Sequence, residues 1–362
     1  MQRDRATAGQ EPDVPLERKV AFLRNPLVYA DRPGRVDTVE THMAWVFLTD
    51  RYAFKLKKPA RYDSLDFSTL GARRRTCEEE LRLNRRLAPD VYLGIVPLTL
   101  RADGELALGG EGRVVDWLVK MRRLPADRML DRAIAQGEAA AEDVRALATL
   151  LAEFYRRLQP VEIDAATYRS AFVAEMEATR KALVSLNDPI RQSRLESIHQ
   201  RLLSFLADRA GLFDRRLAEK RIVEGHGDLR PEHVYLDGVP RIIDCLEFSR
   251  PLRVLDAADE LGYLSLECER LGAAWIGPIL FETYGERTGD RPPPELIDFY
   301  KCFRATVRFR IAILHMAEPG RMTAAQWLAR ADVYAALAER YAARLASLSV
   351  GEPSATGPSA PR

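Results

Sequence analysis

The chain has 362 residues, 47% of them hydrophobic, with 55 Lys and Arg against 53 Asp and Glu and a formal charge of +2. That is enough for two or three folded units with a sizeable core, and the near-balance of charge gives no whole-molecule reason to expect a nucleic-acid or membrane-surface partner. Four scattered cysteines without a C-x-x-C pair argue against a disulfide framework or a zinc knuckle, and fit a reducing compartment. The first residues hold no apolar h-region and nowhere do 18 apolar residues run together, so neither export nor membrane spanning is expected and a cytoplasmic location is.

In chain order, residues 1–14 are polar and read as a disordered tail. From about 36 to 58, "VDTVETHMAWVFLTDRYAFKLKKP" reads as short strands around a "TDR" turn. Tyr52, Phe54 and Leu56 alternate with Ala53, Lys55 and Lys57, which predicts a hairpin with a basic face. A helix is expected from Ser68, an N-cap candidate, through "TLGARRRTCEEELRLNRRLA" to Pro89. With Cys77 at zero and about 100° per residue, Leu81, Asn84 and Ala88 fall within about 40°, Glu80 at about −60° and Glu79 near the opposite side. Glu80 is thus the inward candidate of the three glutamates. Strands are expected around Val91 to Leu100 and Val114 to Met121, and helices almost throughout beyond Pro125. The division expected is 15–125 as a small β-rich unit and 126–348 as a larger helical one, with 349–362 a Pro/Ser/Gly-rich disordered tail.

One window interrupts the helical part: "EGHGDLRPEHVYLDGVPRIIDCLEF", residues 224–248. "HVYL" and "PRII" are strand-like and flank Asp237-Gly238, a strong hairpin signal. The hairpin brings Asp228 and Asp244 towards one another, and two close carboxylates repel unless a proton, a cation or a basic side chain lies between them. A metal site or an acid/base pair is implied.

"HGDLRPEH" resembles the catalytic loop of the protein-kinase-like fold. Gly227 in the place of an arginine makes it similar to the aminoglycoside phosphotransferase and choline kinase branch, and the text around it to an uncharacterised bacterial group sometimes fused to a P-loop kinase. No G-x-x-x-x-G-K-[ST] occurs in this chain. The resemblance implies a two-lobed α+β protein-kinase-like fold with a β-rich N-lobe and a helical C-lobe, which moves phosphate from ATP to a hydroxyl of a small-molecule acceptor with Mg2+ or Mn2+. On it, Asp228 is the base, Arg230 faces the transferred phosphoryl group, and Asp244 holds the metal. Lys55, with "AFK" as the strand's ending, meets the nucleotide phosphates under the guidance of Glu80, and Lys57 is its rival. Met121 and Arg123, in "VKMRRLP", belong to the connection whose backbone meets adenine.

Two departures stand out. "VETHMA" has no glycine where a phosphate loop is expected, leaving Thr41 and His42 as nucleotide contacts. His233 stands where an asparagine would bind a second metal, and imidazole is a poor ligand for magnesium. No long segment for docking a peptide follows Asp244. Acidic residues just beyond it (Asp256, Asp259, Glu260, Glu267, Glu269) offer a reason for a cationic or polyhydroxyl substrate, with Asp256 and Asp259 expected to brace the loop. Three other readings are open: an inactive nucleotide-binding module, a metal-dependent hydrolase, and a nucleic-acid binder using "RRR" at 73–75 with Arg85 and Arg86.

Overall fold

In the computed structural model, the described residues (14–62, 65–184, 188–317 and 322–348) form two compact units. One is the chain up to Pro125 together with Glu247–Ser249; the other is Ala126–Leu246 and the chain from Arg250 onward. The tails expected at 1–14 and 349–362 lie outside the described residues, except Val14, which is buried in the first core.

The first unit begins with α1 (Leu16–Leu23) and runs through β1 (Asp37–Glu40), β2 (Ala44–Leu48), β3 (Tyr52–Lys57), the short pair β4 (Arg61–Tyr62) and β5 (Leu65–Asp66), α2 (Leu70–Asn84), β6 (Tyr92–Leu100), β7 (Leu106–Leu108) and β8 (Arg113–Arg122). Six strands form one antiparallel sheet in the order β1-β2-β3-β8-β6-β7. The Thr49 hydroxyl closes the β2–β3 turn, donating to Tyr52 O and accepting from Tyr52 N. Phe47, Phe54, Leu56, Leu98 and Leu118 fill the core beneath it.

The α2 N-cap is Thr69, not Ser68: Thr69 Oγ1 accepts from Ala72 N at 3.1 Å, while Ser68 turns back to Asp66. The helix stops at Asn84 rather than running to Pro89. Its buried residues are Arg73, Cys77, Glu80, Leu83 and Asn84, of which Arg73, Cys77, Glu80 and Asn84 follow the i, i+4, i+7, i+11 spacing of one helical face. Arg73 is wholly buried on Asp116, which also holds the buried Lys19 of α1. The "RRR" run therefore does not lie on the surface as a block.

The second unit holds α3 (Leu130–Gln136), α4 (Ala141–Arg157), α5 (Ala165–Val184), α6 (Pro189–Asp208), α7 (Ala210–Ala218), β9 (Ile222–Glu224), β10 (Val234–Tyr235), β11 (Arg241–Ile242), β12 (Val254–Asp256), α8 (Ala257–Arg270), α9 (Ile276–Thr288), α10 (Pro294–Leu314) and α11 (Ala324–Leu348). Phe172, Phe213, Phe299, Tyr300 and Phe303 knit α5, α7 and α10 into one aromatic core. β10 and β11 form the expected hairpin around Asp237-Gly238, and β9 pairs with β12. Helix α8 is buried from Ala257 to Cys268, its charged residues included. Among the described residues no helix is long and apolar enough to cross a membrane.

Candidate active site

In the first unit, antiparallel pairing puts Lys55 and Lys57 on one face of β3, above α2. Lys55 Nζ lies 3.0 Å from Glu80 Oε1 and Lys57 Nζ 2.5 Å from Glu80 Oε2. Lys57 also pairs with Glu247. The two lysines differ in enclosure: 14% of the Lys55 side chain is exposed against 1% for Lys57. Burial works against the Lys57 ammonium, but Glu247 and Glu80 outweigh it and raise its pKa. The basic face expected on this strand is thus turned inward onto carboxylates. Glu247, just beyond Asp244 in sequence, had no spacing signal to mark it.

The β1–β2 turn closes on itself. Thr41 N and Thr41 Oγ1 both donate to Ala44 O, and Thr41 Oγ1 accepts from Ala44 N. Thr41 and His42 are exposed. At the end of β8, Met121 is a ladder residue opposite Ala53 and Tyr92. Arg123 donates from its backbone to Arg51 O and from its guanidinium to Thr49 O and Asp37.

In the second unit the loop from His226 to His233 is held from both ends. Glu260, the N-terminal-turn acid of α8, accepts from His226 N at 2.9 Å and Gly227 N at 2.5 Å, and its other partner is Tyr155 OH. The brace is therefore Glu260, not Asp256 or Asp259, which pair with Arg216 and Arg304. Gly227 has φ +87°, and a Cβ there would meet Leu246 at 3.0 Å and Arg253 at 3.1 Å. An arginine cannot occupy that position in this loop. His226 is fully buried, with Nε2 donating to Ile243 O and Nδ1 accepting from Asp228 N; burial pushes its pKa down to about 4.

The loop delivers Asp228 into a ring of donors. Its Oδ1 accepts from Tyr263 OH at 3.0 Å and lies 3.0 Å from Arg230 Nε. Burial alone would raise this carboxyl, but Arg230, His233 and Arg308 outweigh it and hold the pKa at about 2. His233 stands between the two aspartates, Nδ1 3.8 Å from Asp228 Oδ2 and Nε2 3.6 Å from Asp244 Oδ2. It is a basic side chain of the kind two neighbouring carboxylates require. Both its nitrogens are engaged: Nδ1 with Asp228 O at 2.8 Å, Nε2 with Arg230 Nη2 at 3.0 Å. A carbonyl only accepts and a guanidinium only donates, so a neutral His233 would carry its proton on Nδ1.

Asp244 follows β11 in the left-handed region, φ +61°, with 46% of its side chain exposed. An exposed carboxylate suits magnesium, which takes one or two protein carboxylates and completes its shell with phosphate oxygens and water. The His233 ring suits it less, with Nε2 turned to a guanidinium. Among the described residues no group of three or more His, Cys, Asp and Glu is arranged to hold a metal ion. Tyr263 and Arg308 are the contributors that the sequence reading missed, since nothing in their spacing distinguishes them from other helix residues.

No family model matches the chain. Uncharacterized proteins of Mycobacterium tuberculosis and Mycobacterium bovis are 34% identical to it over 292 residues, 78% of this chain and 56% of theirs. The chain thus spans about half the length of the curated relatives it matches. Among solved structures, a choline/ethanolamine kinase family protein from Mesorhizobium loti superposes with a TM-score of 0.53 at 15% identity, over 91% of this chain and 99% of that one. A choline kinase from Cryptosporidium parvum gives 0.54 at 10% identity, over 88% and 91%. A thermostable mutant of an aminoglycoside phosphotransferase gives 0.52 at 11% identity, over 91% and 100%. Over about nine-tenths of its length, this chain has the protein-kinase-like fold that these structures share.

Proposed function

We propose that the protein is an ATP-dependent phosphotransferase acting on a hydroxyl of a small molecule. The observation that carries this reading is the ionised Asp228 held by Tyr263 and Arg230, with His233 between it and Asp244. Phosphoryl transfer asks a protein for charge neutralisation and for positioning of the hydroxyl, with little covalent work. At a pKa of about 2 Asp228 is a weak base. It therefore orients the acceptor hydroxyl, and takes its proton late, once the bond to phosphorus has made that proton acidic. Arg230, fixed between Asp228 and His233, offers a guanidinium to the transferred group.

Asp244 is the metal-holding carboxylate, and magnesium or manganese bound there supplies charge neutralisation on the phosphates. His233 shapes the loop instead of ligating. In the first unit, Lys55 takes nucleotide phosphate while Lys57 holds Glu80 in place. Met121, Arg123, Thr41 and His42 stay in the proposal as nucleotide-side residues, the last two without any backbone cradle. That closed turn is what favours the second reading, an inactive nucleotide-binding module.

Incubating the protein with labelled ATP, magnesium and a pool of small metabolites decides between the two. Transfer of label to a metabolite, lost in Asp228→Asn, supports the enzyme. Thermal stabilisation by ATP with no transfer supports the inactive module.

A further inference from the structure

The acidic run beyond Asp244 is closed within the protein. Asp259 forms two hydrogen bonds with Arg304, at 2.6 and 2.7 Å, and Glu260 holds the loop backbone. Glu267 accepts from Tyr334 OH and Arg270, and Glu269 pairs with Arg340 and Tyr341. Among the described residues each carboxylate of this run already has a partner within the protein, so the run itself gives no reason to expect a cationic acceptor.

What stands beside Asp228 instead is positive. Helix α8 presents Tyr263 and, one turn on, Glu267; α10 presents Arg304 and, one turn on, Arg308. The Arg304 guanidinium lies 5.2 Å over the Tyr263 ring, whose hydroxyl is on Asp228. Arg308 Nε lies 3.4 Å from Glu267 Oε1 and 3.5 Å from Tyr334 OH. Its Nη groups hydrogen-bond to nothing among the described residues, and 11% of the side chain stays exposed.

The charges here form a ladder. Glu267 is shared by Arg308 and Arg270, and Glu232 by Arg270 and Arg330, at 3.3 and 3.6 Å. Three guanidiniums thus face two carboxylates. Asp131, which adds negative charge near Glu232, has Arg132 at 3.7 Å, and Asp228 has Arg230. Asp228 offsets part of this charge, but the Nη side of Arg308 carries no carboxylate among the described residues, and an oxyanion set across that open fork would form a charge-assisted pair.

Resting on the phosphotransferase reading, we infer that the acceptor is a hydroxylated anion, with its carboxylate or phosphoryl group on Arg308 and its hydroxyl on Asp228. In the transfer the bond from the γ-phosphorus to the bridging oxygen of ATP breaks and a bond to the acceptor oxygen forms. The hydroxyl proton leaves through Asp228 to solvent, giving ADP and a phosphorylated anion. Removing Arg308 leaves Glu267 with Arg270 and Tyr334, so the variant Arg308→Gln is expected to fold.

The test divides a metabolite pool by ion exchange and offers each part to the protein with labelled ATP and magnesium. Label should enter the anion-exchange-retained part. Arg308→Gln should raise KM for the acceptor about tenfold or more, the scale of a lost charge-assisted pair, leaving KM for ATP within about twofold; Arg308→Lys should recover only part, lacking the fork. Transfer confined to cationic or neutral compounds, or an unchanged acceptor KM in Arg308→Gln, would overturn the inference. If no part is labelled, the phosphotransferase reading fails, and sulfate titrated into the ADP-bound protein decides the anion site alone. Weaker sulfate binding in Arg308→Gln supports that site; equal binding in both proteins removes it.

Discussion

Lys55 and Lys57 sit two residues apart on one strand face and touch the same carboxylate, yet their surroundings assign them different work. Lys57 is enclosed by Glu80 and Glu247 with 1% of its side chain exposed. Lys57→Ala leaves two buried carboxylates facing one another, a loss on the order of 3 kcal/mol in stability, visible as a lower midpoint in urea. Lys55→Ala should cost ATP affinity, about tenfold or more in a binding titration, with a smaller change in that midpoint. Equal ATP losses in the two variants would remove the assignment. The left-handed Asp244 shapes its own test: Asn tolerates φ +61° whereas Ala is strained there. Asp244→Asn should abolish magnesium dependence of ATP binding with little change in stability, and an unchanged metal dependence would count against Asp244 as the ligand.

At the scale of elements, the β2–β3 hairpin, α2 and the β10–β11 hairpin were legible because each follows from a local rule: alternation, a helical period, an Asp-Gly turn; the cap and the end of α2 were not. Glu80 was legible from helical projection alone. The supports of the Asp228 loop contributed by Glu260, Tyr263 and Arg308 were not, because these residues come from α8 and α10, which tertiary packing brings to the loop. Helix α8 is buried on all sides, so its acids look in sequence like a solvated face and carry no amphipathic contrast. For the same reason the acids beyond Asp244 suggested a cationic ligand, when each already had a partner. Gly227 supplies the check on the loop. Gly227→Ala combines an unfavourable φ with contacts near 3 Å, and should cost roughly 1–3 kcal/mol, read from chemical denaturation. A neutral outcome would mean that the loop relaxes readily and is not fixed by Glu260.

For the whole molecule, acid stability should be limited in part by a histidine of α6, alongside the buried His226 of the loop. His199 on α6 is 7% exposed, its Nε2 has no hydrogen-bond partner, and burial lowers its pKa to about 4. Its neutral form is the one that folds, so its contribution is complete above the unfolded pKa of about 6.5 and is lost as pH falls from there towards 4, up to about 3 kcal/mol. His199→Phe removes both the titration and the unsatisfied nitrogen. Denaturation midpoints of variant and parent should lie close at pH 7 and diverge in the variant's favour at pH 5; parallel pH profiles would exclude this role.

Glu247 has a further consequence, one of timing. It belongs to the first unit although roughly 120 residues separate it from the rest of that unit at Pro125. At about 5–20 residues per second of synthesis, the N-terminal sheet emerges roughly 6–24 s before the carboxylate that completes the surroundings of Lys57. Throughout that interval Lys57 lacks its Glu247 partner, so the final consolidation of the sheet around Lys57 waits on a segment made after the helical unit's loop and hairpin.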